Sequence, residues 1–268
     1  MSGISWTRCI GEDEKCYVSE SDFWVEIVAF ARFLRGLEKT EIVFIIGERG
    51  ILQLPILPGQ ICDVTMTFAV NVAQFFLQQP NDPTFSQLNE LHTQLNIFYR
   101  NWPNYPIVTV PMHANETQYC AVYMGNTFVR GATVGYIVES DEMMVRLIDL
   151  GGYISHPRST LRKLCEEAFH LPGQAIASQL AYVKPLTVHF DPRGEAVIKE
   201  LCIGKRIKAR CLGYTLDSSQ ALVELYVTFP DQKIERLDMF LRQNNFAAPS
   251  EMVAYSPTVP ALFFQNRV

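Results

Sequence analysis

Between residues 119 and 155 the chain is cut into short runs rich in β-branched and aromatic residues. Tyr119–Met124, Phe128–Val138 and Met143–Ile148 are separated by Gly125-Asn126, by Glu139-Ser140-Asp141-Glu142 and then by Gly151-Gly152. Short strands on tight turns predict a small, bent barrel. This segment limits the possible architectures more than any other part of the sequence.

The flanks alternate strands with helices. Cys62–Phe68 and Gln74–Gln78 read as strands, and Asn81-Asp82-Pro83 as a turn. Thr84 with Gln87 three residues on has the form of a capping box, opening a helix marked by Leu88, Leu91, Leu95 and Phe98. Trp102–Pro106 ends that helix. Beyond the barrel segment, Ser159 reads as the cap of a short helix with Leu161, Leu164 and Ala168 on one face, stopped by Leu171-Pro172-Gly173. Gln179–Lys184 reads as a strand. Asp191-Pro192 pairs an N-cap with proline at the first helical position, for a helix to about Leu201. Arg206–Tyr214 and Ala221–Phe229 read as strands, Ile234–Gln243 as a helix, and the tail from Ala247 as loose.

The leader is distinct. Glu20 and Asp22 open an amphipathic pattern, Phe23, Ile27, Phe30, Ala31 and Leu34, that suits either core packing or a docking helix. A strand at Glu41–Ile46 follows, then Gly47-Glu48-Arg49-Gly50, then an extended connector at Leu54–Gly59. The expected organisation is an accessory segment over 1–58, a domain over 60–250 with its barrel core at about 115–178, and a tail over 251–268.

Composition narrows the function classes. The 268 residues are 48% hydrophobic and 19% charged, a globular balance. Asp and Glu outnumber Lys and Arg by 28 to 23, so a wholesale electrostatic grip on nucleic acid or anionic membrane is not expected. Seven cysteines, with no CxxC, suggest reduced core thiols rather than a disulfide framework or a zinc site. Apolar runs such as Ile42–Ile46 fall far short of the roughly 20 residues of a spanning helix, so no membrane contact by this chain is expected. No basic stretch leading into an apolar core opens the chain, so a secretory leader is not expected either. His92, His113, His156, His170 and His189 are scattered without metal-ligand spacing, and no Gly-x-Ser-x-Gly elbow occurs. No catalytic residue, metal or cofactor is assigned.

The barrel segment resembles the Tudor family. Cys120-Ala121-Val122-Tyr123 is similar to its opening strand. Phe128-Val129-Arg130-Gly131 resembles a worn Trp-Tyr-Arg-Ala, and Leu147-Ile148-Asp149-Leu150-Gly151-Gly152 a worn Phe-Ile-Asp-Tyr-Gly-Asn. Leu161-Arg162 and Phe169-His170-Leu171-Pro172-Gly173-Gln174-Ala175 follow in register. Upstream, Phe75–Gln79 and the helix ending in Phe98-Tyr99, and downstream, Gly204–Ala209, resemble the two halves of an extended Tudor domain. The resemblance implies a mainly β fold with helices (α+β), a Tudor-type SH3-like bent barrel joined to a split staphylococcal-nuclease-like OB barrel. Within the family, Phe76–Gln79, Pro83–Phe85 and Asp149–Tyr153 look like the Tudor segments of the A-kinase anchoring scaffolds of the mitochondrial outer membrane. Those scaffolds carry a KH module just upstream. Gly47–Gly50 resembles its Gly-x-x-Gly loop, but it leads into Leu-Pro-Ile-Leu-Pro rather than a helix, and Glu48 is a poor phosphate neighbour.

Many family members hold methylated arginine in an aromatic cage, because weakly hydrated cations favour ring faces. Carried over by position, the cage falls on Tyr123, Val129, Leu147 and Leu150, with the asparagine position on Gly152. Tyr123 alone keeps its ring. The resemblance therefore implies a degenerate cage. Its aliphatic positions either line an apolar groove for a peptide anchor or fill the pocket as core. Phe128, Arg130 and Asp149 are assigned to structure, the last two as an ion pair. The expected function is a non-catalytic interaction module binding a peptide segment of a protein partner without arginine methylation. Its expected setting is the cytoplasm, an RNA granule or the cytosolic face of mitochondria. RNA binding through the OB-type barrel and Lys205, Arg206, Lys208 and Arg210 is the alternative.

Overall fold

The computed structural model describes residues 51–110, 117–215 and 220–251, together with the backbone of the strands at 42–44 and 255–256. The expected leader helix and the Gly47–Gly50 loop lie outside the described residues, as does most of the tail. In chain order the strands are β1 (Ile42–Phe44), β2 (Ile61–Ala69), β3 (Gln74–Gln78), β4 (Tyr119–Met124), β5 (Thr127–Ile137), β6 (Glu142–Leu147), β7 (Tyr153–Pro157), β8 (Arg162–Lys163), β9 (Ile176–Leu180), β10 (Val183–Lys184), β11 (Arg206–Thr215), β12 (Ala221–Thr228), β13 (Ile234–Arg236), β14 (Ala248–Pro249) and β15 (Tyr255–Ser256). The helices are α1 (Leu88–Asn101), α2 (Pro192–Cys202) and α3 (Leu237–Gln243).

The chain forms two compact units. The first gathers Ser86–Asp149 and Tyr153–Pro172, with β1. Its sheet runs β7-β6-β5-β4-β8, all neighbours antiparallel. Met124 pairs with Thr127 across a two-residue loop, and Gly125 takes φ +73°, the left-handed conformation such a hairpin needs at its first position. Helix α1 buries Leu88, Leu91, Leu95 and Tyr99, one face at helical spacing. Its Asn96 holds the hairpin. The amide nitrogen donates to Thr127 Oγ1 at 2.7 Å, and Asn96 Oδ1 accepts from the Phe128 N–H at 3.2 Å.

The second unit is a closed five-stranded barrel. Strands follow the order β9-β3-β2-β11-β12, and β12 closes the ring by pairing parallel with β9. Two of these strands precede the Tudor-like segment in sequence and three follow it, which is the split barrel the resemblance implied. Residues alternate along β11, so that Ile207, Ala209 and Cys211 enter the core while Arg206, Lys208 and Arg210 face outward. Leu54 and Ile56 of the connector are buried. The Tyr214 hydroxyl, itself buried, donates to Ile56 O and accepts from Ile56 N–H, both at 3.0 Å.

Five local expectations are corrected. The tail expected to be loose from Ala247 pairs instead, Ala248–Pro249 with β10 and Tyr255–Ser256 with β11. The Thr84–Gln87 capping box does not form. Asp82 Oδ1 instead accepts from Thr84 N–H at 2.8 Å and Thr84 Oγ1 at 2.6 Å, and a 3-10 turn at Phe85–Gln87 leads into α1. Ser159 caps no α-helix; residues 158–169 form two 3-10 turns around β8, because Lys163 pairs with Cys120 of β4. The strand expected at Gln179–Lys184 is two strands, β9 and β10, broken at Tyr182 with φ +64°. Helix α3 begins at Leu237 rather than Ile234, since Ile234–Arg236 pairs with β12. Arg236 is drawn there by buried carboxylates, Glu224 at 3.1 Å and Asp238 at 2.9 Å.

Tyr214→Phe strands both polar groups of Ile56 in the core. Urea denaturation is expected to show a loss of about 1–3 kcal/mol with no change of fold.

Candidate peptide-binding site

The first unit is organised around a buried ion pair. Arg130 on β5 and Asp149 just after β6 both have fully buried side chains. Arg130 Nε donates to Asp149 Oδ2 at 2.9 Å and Nη2 to Oδ1 at 2.6 Å, a bidentate fork. Nη1 donates to the carbonyls of Ala168 (2.8 Å) and Leu171 (2.6 Å), and Nη2 also to Pro172 O (3.1 Å). A guanidinium has five N–H donors, and all five are used. These contacts engage every donor of the buried guanidinium within the first unit.

His92 on α1 lies near this pair. Its Nε2 is buried without a hydrogen-bond partner among the described residues. Burial pushes the imidazole below its ordinary range, the Asp149 carboxylate pulls it back, and the Arg130 charge lowers it further. The native fold therefore prefers neutral His92.

The positions that the resemblance assigned to a cage fall in both units. In the first, Val129 is 1% exposed and Leu147 6%, whereas Tyr123 is 43% exposed. In the second, Leu150 is half-buried and Gly152 buried. Gly152 has φ +81°, and a Cβ there would lie 2.6 Å from the Phe68 ring. Phe68 thus stands in the space of any side chain at 152. Val129 and Leu147 offer almost no surface to an apolar peptide anchor.

Tyr123 belongs to a row of rings that sequence reading missed. Its centroid lies 5.1 Å from Phe128; Phe128 is 5.0 Å from Tyr99, which is 5.0 Å from Phe98 and 5.8 Å from Tyr105. Tyr99 is fixed by both ends of its hydroxyl, donating to Lys163 O at 2.7 Å and accepting from Cys165 N–H at 3.0 Å. The signal was present as Phe98-Tyr99, but only folding brings those rings to Phe128.

Two of the four residues of the basic stretch face acids. Lys205, Arg206, Lys208 and Arg210 are all exposed. Lys208 sits directly opposite Asp63 on β2, 3.0 Å away, and Arg210 opposite Glu224 on β12, 3.6 Å away. Cross-strand acids of this kind reduce the field available to phosphates.

Burial favours the protonated form of the described thiols. Cys62, Cys120, Cys165, Cys202 and Cys211 are unbridged, and burial pushes Cys120 and Cys202 up to about 12 and Cys62 and Cys211 up to about 11. Among the described residues no group of three or more His, Cys, Asp or Glu could hold a metal ion.

Comparison with known proteins agrees with this architecture. The Tudor domain family model matches residues 56–182. The chain carries a Tudor domain. Its fold is that of an extended Tudor domain. The third extended Tudor domain of mouse TDRD1, solved with a MILI peptide containing dimethylarginine 45, superposes with a TM-score of 0.66 at 16% identity, covering 76% of this chain and all of that one. The D287A variant of the extended Tudor domain of Drosophila melanogaster Papi, solved with an unmethylated Piwi N-terminal peptide, superposes with a TM-score of 0.59 at 16% identity, over 71% of this chain and all of that one. Among curated sequences, the KH domain-containing protein akap-1 of Caenorhabditis elegans is 32% identical over 208 residues, 75% of this chain and 24% of the relative. The mitochondrial A-kinase anchor protein 1 of Mus musculus is 28% identical over 195 residues, 68% of this chain and 22% of the relative. The chain thus spans about a quarter of the length of these relatives.

Two outcomes are expected. Arg130→Met removes the counter-charge of the buried Asp149, and chemical denaturation is expected to show a loss of about 3–5 kcal/mol. Because folding lowers the His92 pKa, stability is full above the unfolded value of 6.5 and falls as pH drops below it, until the folded pKa is passed. Urea midpoints taken from pH 7.5 to 5 are expected to decline, and His92→Leu to flatten that decline.

Proposed function

We propose that this Tudor domain is a non-catalytic adaptor module whose methylarginine cage is closed by its own side chains, so that it takes a peptide segment of a protein partner without requiring methylation. The observation that carries this reading is the burial of Val129 and Leu147 at two of the four ring positions. The Phe68 ring against Gly152 supports it, since the asparagine position has no room for an amide. A cation entering here meets one exposed ring, Tyr123, rather than four. The unmethylated peptide held by the Papi domain is consistent with methylation-independent binding on this fold. The similarity to A-kinase anchor proteins points to a scaffold in an RNA-linked or mitochondrial-surface assembly, reached from the cytoplasm. RNA binding through β11 has weaker support, because Lys208 and Arg210 already face Asp63 and Glu224.

Calorimetric titration of an Arg-Gly-rich peptide, with and without symmetric dimethylation, tests the proposal. Each good cation–ring contact contributes about 0.5–2 kcal/mol, so an intact cage favours the methylated form by well over tenfold. The expected result is a difference below about twofold, including no binding by either form. A tenfold preference for the methylated peptide overturns the closed cage.

A further inference from the structure

Strand β5 is 11 residues long, and its two edges are not covered alike. Strand β6 runs along one edge from Gly131 to Ile137. On the other edge β4 pairs only with Thr127–Ala132, and the Thr133 N–H donating to Gln118 O at 2.9 Å extends that cover by one residue. Beyond Thr133 that edge would present open backbone N–H and C=O groups, a ready template for another strand. Instead β1 lies there antiparallel, with Phe44 opposite Gly135, Val43 opposite Tyr136 and Ile42 opposite Ile137. The occupant comes from a segment remote in sequence and makes a ladder of three residue pairs.

We propose that the Gly135–Ile137 edge of β5 is a strand-acceptor site for an extended peptide with an apolar core of the Ile-Val-Phe kind, and that Ile42–Phe44 of this chain is its resident occupant. The chemistry of the ligand is read from the strand seated there. Backbone hydrogen bonds supply the attachment, as in recognition by strand addition generally. A strand of only three pairs has little lateral hold, so a competing segment of the same character can take its place. This surface is separate from the cage positions, and the inference does not rest on the peptide-binding reading above.

The test uses the full chain and a synthetic peptide of residues 38–48. Ile42→Pro with Val43→Pro removes backbone donors of both parities from β1. Successive amides of β5 point to alternate neighbours, so those of Gly135–Ile137 that face β1 are expected to quicken in hydrogen exchange by about tenfold or more. The Ile148 amide, bonded to Arg130 O, is expected to stay protected, reporting that the unit is folded. The peptide is expected to bind the double variant at least about tenfold more tightly than the parent chain, because the parent's site is filled. A peptide N-methylated at residues 42 and 43 keeps the side chains but not the ladder, and is expected not to bind. Unchanged exchange at Gly135–Ile137, or equal binding by the N-methylated peptide, overturns the proposal.

Discussion

A fully buried guanidinium is tolerated only when every donor finds an acceptor, and Arg130 meets that condition with five bonds. The acceptors come from three places, the Asp149 carboxylate after β6 and the carbonyls at Ala168 and at Leu171-Pro172. Each must be correctly placed before the charge can be buried at all. One side chain thereby fixes the end of β6, the 3-10 turn at residues 166–169 and the Leu-Pro step against β5. The pair is better understood as specifying this arrangement than as adding net stability, since its desolvation opposes its attraction.

That constraint explains why separate stretches of sequence could be read together. Arg130, Asp149 and Leu171-Pro172 are 19 to 42 residues apart along the chain yet meet at a single set of hydrogen bonds. A chain that keeps these groups keeps the frame. The positions that the resemblance assigned to a cage, Tyr123, Val129, Leu147, Leu150 and Gly152, make none of these five bonds.

Local pattern was legible where one physical cause dominates. The strands at Gln74–Gln78 and Tyr119–Met124 appear where expected, since β-branched and aromatic residues there are bounded by strong turn residues. So does the helix from Pro192, where Asp191 Oδ1 accepts from Arg193 N–H at 2.8 Å. The failures came where distant groups outbid local signals. Leu161, Leu164 and Ala168 have helical spacing, but backbone pairing of Lys163 with Cys120 takes the chain out of a helix. Ile234–Arg236 is claimed by β12. The row from Tyr123 through Phe128 to Tyr99 could not be read from order, because α1 brings Tyr99 to a hairpin roughly 25 residues away.

By itself the sequence determined the family resemblance and the order of the strands, because these follow from residue identity and spacing. It left open whether Val129, Leu147 and Leu150 line a groove or fill a core. Tertiary structure decided that Val129 and Leu147 are buried and that the Phe68 ring lies where a side chain at 152 would stand. It also decided that Lys208 and Arg210 face acids, and that Ile42–Phe44 covers the β5 edge. These are questions of which groups exclude water from which others. Burial is a property of neighbours across space, and no single position in a sequence carries it.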